Sequence, residues 1–216
     1  REENLGCKLA VSSAITWFFQ NEKMGIIIED DVLPSNDFFR FMEEMLVTHQ
    51  SDASIYTITG YNPLGENINS NEFYLSSHAT IWGWGTWADR WSNYSLDIPS
   101  DWKKKLKIKL SEYKFSNFLS QYYVLSFKQV YEHHVNTWDY QWSYLGIINN
   151  YKTVRPVANL ISNIGSVGAH SSKQDRNHFK KYGTLVGEKF FQSSSMKHEK
   201  LYENKILHPA FVKLSI

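Results

Sequence analysis

The residues with the most chemical content lie in GIIIEDDVLP, residues 25–34. An apolar run ends there on three consecutive carboxylates, Glu29, Asp30 and Asp31. Like charges this close oppose joint ionisation, and a cation between them relieves the opposition. Oxygen donors suit hard divalent ions such as Mg²⁺ or Mn²⁺, which bind through one or two protein carboxylates while bridging substrate phosphates. Side chains alternate along extended backbone, so Glu29 and Asp31 point one way and Asp30 the other. The chemistry implied is a divalent ion holding a diphosphate. A solvated acidic turn that caps the next helix is the competing reading.

Other chemically capable groups are sparser. His170 sits in GSVGAHSS, a glycine- and serine-rich stretch within residues 159–172 with the composition of a mobile loop or lid. His133 and His134 are adjacent, so on a helix they diverge by about 100° and make a poor chelating pair. Six of the eight tryptophans fall at positions 82, 84, 87, 91, 138 and 142. Such a cluster reads first as core, and second as flat surface for a sugar face. Cys7, the single cysteine, lies in an apolar-periodic stretch with no neighbouring histidine, so it reads as a core residue and not a nucleophile.

The elements that must position these groups follow from periodicity. Residues 4–21 have helical spacing through Leu5, Leu9, Ile15, Phe18 and Phe19. Residues 25–29 read as a strand buried on both faces. A helix over 37–49 has Ser35 or Asn36 as N-cap and an apolar stripe at 38, 39, 41, 42, 45 and 46. Residues 53–60 and 73–77 read as strands, and 80–94 as a loop entering a helix. Two helices follow over 101–134, split near 114–117. A helix over 137–150 leads to a strand over 152–157. Helix and strand alternating in this way predict an α/β domain with a mainly parallel sheet, whose ligand site lies beyond the carboxyl ends of the strands.

Composition narrows the partners. Basic and acidic residues number 23 and 22, so no basic face for nucleic acid is expected. No apolar run approaches the ~18 residues of a membrane span. One cysteine leaves no intrachain disulfide, which fits a reducing, cytoplasmic compartment. DWKKKLKIKL, residues 101–110, reads as a solvated helix face. Peripheral docking on the inner face of a membrane, or on a partner, is the sharper alternative.

A resemblance joins these pieces. GIIIEDDVLPSNDFFRF resembles the segment around the Glu-Asp-Asp motif of N-acetylglucosaminyltransferase I and related bacterial nucleotide-diphospho-sugar transferases. NLGCKLAVSSAITWFF resembles the preceding helix of the bacterial group, and SSHATIWGWGTWADRW its Trp-Gly-Trp segment. TWDYQW resembles the Trp-Asp-Asp-Trp stretch that carries the catalytic base, and VRPVANLISNIGSVGAHSS the strand and donor-closing loop. These segments keep the family order over residues 4–172.

The resemblance implies a GT-A fold and a metal-dependent inverting transfer of a sugar from a nucleotide-diphospho-sugar, with UDP-GlcNAc suggested by the better-known relative. The implied acceptor is a glycan or lipid-linked hydroxyl, as in bacterial polysaccharide biosynthesis. By position, Asp31 resembles the direct Mn²⁺ (or Mg²⁺) ligand. Asp30 resembles the neighbour that contacts the ribose or supports the metal. Glu29 would face the donor sugar, and His170 the diphosphate unless it is plain polar surface; Trp84 is a candidate donor-lining ring, with packing under the site as the plainer role for it and Trp82. Asp139 resembles the general base, although Tyr140 stands where the related enzyme has a second acid; a helix-capping carboxylate is its plainer role. The implied domain covers residues 1–175, with 176–216 as an extension. The family's first strand–helix–strand unit does not precede Arg1, so a sheet with one uncovered edge is expected. A non-catalytic sugar-nucleotide or glycan-binding module is the alternative function.

Overall fold

The computed structural model describes residues 3–113, 116–164 and 181–207. Its centre is a six-stranded sheet formed by β1 (Met24–Ile27), β3 (Ile55–Thr59), β4 (Glu72–Ser76), β5 (Trp84–Trp87), β6 (Lys152–Pro156) and β8 (Phe191–Gln192), in the order β1-β5-β3-β6-β4-β8. β3 pairs with β6 and β4 with β8 in parallel. β5 is antiparallel to both β1 and β3, and β4 is antiparallel to β6. The expected α/β sheet is therefore present, and its parallel character is confined to two of these five pairings. A separate antiparallel pair joins β2 (Val32–Pro34) to β7 (Ile161–Asn163).

One face is covered by α2 (Asn36–Thr48). Its residues Phe38, Phe41, Met42, Met45 and Leu46 fall at helical spacing and are buried. They pack on Ile55, Ile58, Phe73 and Val154 of the strands, Ile55 and Ile58 sharing a face across the register shift between Ile55 and Thr57. Burying each such side chain contributes roughly 1.5–3 kcal/mol. Phe39, expected in the same stripe, is half-exposed instead. Ser35 occupies the N-cap position with extended backbone but makes no side-chain cap hydrogen bond.

The opposite face carries α1 (Gly6–Asn21) and α6 (Asp139–Asn149). Ile15, Phe19, Trp138 and Trp142 pack there with Tyr56, Trp84 and Trp91. The short α3 (Ala88–Trp91) supplies Trp91. α4 (Trp102–Tyr113) and α5 (Asn117–Tyr131) split where expected and form a further layer on α6 through Trp102, Leu106, Leu119, Phe127 and Ile147. On α4, Lys105 pairs with Asp101 at 3.0 Å and Lys109 with Glu112 at 2.8 Å, in keeping with a solvated face. The described part of the expected extension supplies β8 and α7 (Ser195–Tyr202), followed by a π-helical turn (Glu203–Leu207). Leu185 from this part is buried in the α2 core, and Tyr202 in the α4–α5–α6 layer. No helix among the described residues is long and apolar enough to cross a membrane.

Two expectations change. The stretch 80–94, expected as a loop entering a helix, does enter α3, but through β5, an interior strand between β1 and β3 that begins at the last tryptophan of the Trp-Gly-Trp segment. Its turn begins at Gly83, where φ is +56° and a Cβ would sit 2.4 Å from Ile161 Cδ1, so only glycine fits. Cys7 is exposed in the first turn of α1 and is not a core residue.

Candidate functional site

Chain direction assembles the site. β1, β3 and β6 run the same way, so their carboxyl ends share one rim. α1 immediately precedes β1, and α6 precedes β6 through Asn150, a left-handed residue that ends the helix. Each helix therefore runs back along the sheet and starts at that rim. The rim collects the turn after β1, carrying Glu29, Asp30 and Asp31, together with Cys7 from the start of α1 and Asp139 from the start of α6.

The turn is pinned from two sides. The Val32 amide donates to the Glu29 carbonyl at 3.1 Å, and the Ile164 amide donates to the Asp31 carbonyl at 2.8 Å. Register along β2–β7 (Val32 opposite Asn163, Pro34 opposite Ile161) continues this clasp. Glu29 and Asp31 are partly buried and Asp30 is exposed.

The electrostatics are those of crowded acids. The Glu29 carboxyl is pushed up to about 7, first by burial and then by Asp31, Asp139 and Asp30; the Trp138 side chain, hydrogen-bonded to it, acts in the opposite sense. Burial, Glu29 and Asp139 raise the Cys7 thiol, which keeps it protonated at neutral pH and unsuited to nucleophilic attack. Burial, then Asp139, raises the Tyr94 phenol, which donates to the Trp138 carbonyl at 3.0 Å. Three elements distant in sequence thus act on one another's protons.

Asp139 opens α6, and its Oδ1 accepts a hydrogen bond from Thr137 Oγ1. Asp31 Oδ1 is buried and has no hydrogen-bond donor. A buried, unsatisfied carboxylate oxygen beside further acids has the chemistry of a divalent-cation ligand, but among the described residues the rim acids are not drawn into a set of three with ligand atoms within 4.8 Å of one another; His78, Glu199 and Glu203 are.

Of the residues expected at the site, Glu29, Asp30, Asp31 and Asp139 are brought together. Trp84 is not a donor-lining ring. It is wholly buried, stacked on Trp138 at 5.6 Å and packed against Trp142, and so supports the rim from beneath. The reason is register: Trp84 pairs with both Ile27 and Thr59, in the middle of the sheet. His170 lies outside the described residues. His133 and His134 are exposed on the turn after α5. The sequence reading missed Trp138 as a Glu29 partner, Thr137 as an anchor for Asp139, and Cys7 as a rim residue. The only available signal was the position of Trp138 and Thr137 beside Asp139. No protein-family model matches the chain, and no curated protein matches it significantly.

Proposed function

We propose that the chain is a metal-dependent inverting glycosyltransferase that moves a sugar from a nucleotide-diphospho-sugar, with UDP-GlcNAc as the first donor to test, to a glycan or lipid-linked hydroxyl. The observation that carries this reading is the meeting of Asp139 with the Glu29–Asp31 turn at the carboxyl rim. An inverting transfer needs one acidic group for the incoming hydroxyl and another acidic centre for the leaving diphosphate. Asp139 serves the first. Its carboxylate takes the proton of the acceptor hydroxyl as that oxygen attacks the anomeric carbon, a contribution of roughly 10²–10⁴ in rate. Thr137 holds the carboxylate in one orientation. Glu29, its carboxyl pushed up to about 7, can hydrogen-bond a sugar hydroxyl as donor or acceptor.

Mn²⁺ or Mg²⁺ would be held by Asp31 with Asp30 beside it, and would offset charge on the leaving phosphate oxygens. Calorimetric titration of Mn²⁺ with UDP tests this half of the reading, and acceptor-dependent UDP release tests the other. Absence of Mn²⁺-dependent UDP binding sinks the proposal.

A second reading is favoured by Tyr140 and by the Thr137 contact. With no second acid beside it and one oxygen tied to the helix start, Asp139 could act as a cap in a module that binds sugar nucleotides without transferring the sugar. Metal-dependent UDP-GlcNAc binding without release, across a panel of glycan acceptors, supports this alternative.

A further inference from the structure

Three strands separate β1 from β4, and beyond the end of β4 lies a second set of ligating side chains. His78 is 2% exposed. Glu199 and Glu203 lie four residues apart, in the middle of α7 and at the start of the π-helical turn, and both face the imidazole. His78 Nε2 is 3.8 Å from Glu199 Oε2 and 3.5 Å from Glu203 Oε1. Those distances exceed the ~2.7–3.2 Å of a hydrogen bond. They lie close to the edge of a tetrahedron of ligands: with metal–ligand bonds of about 2.0–2.2 Å, neighbouring ligands sit about 3.3–3.6 Å apart. One atom from each of the three residues falls within 4.8 Å of the others.

The surroundings orient these ligands. The His78 ring stacks between Tyr123 and Tyr202, and Tyr123 Oη shares a hydrogen bond with its Nδ1. When Nδ1 is the donor in that bond, the Nε2 lone pair faces the carboxylates, the arrangement found at most metal-bound histidines. The Ser77 amide donates to Glu199 Oε2 at 3.1 Å, while Glu199 Oε1 is buried without a hydrogen-bond donor. Two glutamates four residues apart on one helix repel each other. Arg155 donates to the carbonyls of Tyr61 (3.2 Å) and His78 (2.9 Å) and Lys152 to Ser77 Oγ (2.9 Å), and both cations act electrostatically on Glu199.

We propose that His78, Glu199 and Glu203 form a second divalent-metal site, of zinc type, that clamps α7 to the end of β4. It is independent of the diphosphate-associated ion. The test uses the full chain carrying Asp31→Ala, stripped with chelator and then titrated with Zn²⁺ by calorimetry and with Co²⁺ by visible absorption. Stoichiometric Zn²⁺ binding and the intense absorption of tetrahedral Co²⁺ are expected. Adding Glu203→Gln, which keeps the shape of a partly exposed residue, weakens Zn²⁺ binding by more than about tenfold and abolishes the absorption. His78→Gln has the same effect, with circular dichroism confirming that each variant is folded. Failure of the Asp31→Ala protein to bind Zn²⁺, or affinity unchanged by Glu203→Gln and Glu199→Gln, overturns the proposal.

Discussion

Asp139→Asn separates chemistry from structure at the rim. The substitution keeps the side chain's size and the carbonyl oxygen that accepts from Thr137, but removes the basic oxygen. If Asp139 takes the acceptor proton, kcat falls by roughly 10²–10⁴, equivalent to about 3–5 kcal/mol of transition-state stabilisation at about 1.4 kcal/mol per tenfold. The cost to folding is much smaller. A negative charge in the first turn of a helix contributes about 0.3–1 kcal/mol, which corresponds to a melting shift of at most about 4 °C in a chain of this size. Donor binding should be unchanged or tighter, because Asp139 is one of the charges crowding Glu29. The assay follows UDP release from UDP-GlcNAc with Mn²⁺ and acceptor, beside calorimetric binding of Mn²⁺–UDP and a thermal melt. Turnover retained to within tenfold refutes the role of base. Loss of Mn²⁺–UDP binding together with turnover refutes the division of labour between the two acidic positions.

Asp31→Ala should eliminate Mn²⁺-dependent UDP binding by calorimetry while leaving the melting temperature near that of the parent, since the buried Oδ1 has no donor to lose. Gly83→Ala should destabilise the fold by about 2–4 kcal/mol, from the left-handed backbone and the Ile161 contact together, read as a drop in urea midpoint. His49 carries a separate pH dependence. Burial lowers its pKa against an opposing pull from Asp52, and its Nε2 is buried without a partner. The folded state therefore binds fewer protons than the unfolded chain, and stability falls as pH drops below the ordinary histidine value of about 6.5. His49→Gln should flatten the urea midpoint between about pH 5 and pH 7, and an unaltered slope would assign the effect to other groups.

The legible parts of the structure were those with local signatures. The α2 stripe is recorded in the spacing of Phe38, Phe41, Met42, Met45 and Leu46, and the acidic turn follows a short apolar run bounded by breakers. What escaped depends on non-local pairing. β5 contributes Trp84, Gly85, Thr86 and Trp87, and the glycine interrupts the alternation that marks a strand. Insertion of β5 between β1 and β3 then makes the pairing mixed, a choice that no local window contains. β7 hides in a polar stretch because its partner, β2, lies far earlier in the chain. Cys7 sits among apolar residues, yet the face of α1 that meets the sheet is set by Ile15 and Phe19, which turns the first turn outward to the rim. Trp84 is misleading for the same reason: its type suits a sugar, but its register places it mid-sheet.

The same topology explains why four carboxylates are tolerated together. α1 and α6 both begin at the rim, and each helix N-terminus presents roughly half a positive charge. Two such termini offset about one of the negative charges of Glu29, Asp30, Asp31 and Asp139. The rest is offset in part by Glu29 approaching neutrality, the response of a crowded acid when protonation is the cheapest relief. A divalent ion at Asp31 would supply the remaining positive charge without a proton and draw Glu29 back to its ionised form. Metal binding should therefore release a proton from the rim, making calorimetric Mn²⁺ enthalpies at neutral pH vary with the ionisation enthalpy of the buffer. Glu29→Gln should remove that variation while leaving the Asp31 ligand in place. Buffer-independent enthalpies in the parent protein would mean that the cation binds away from Glu29.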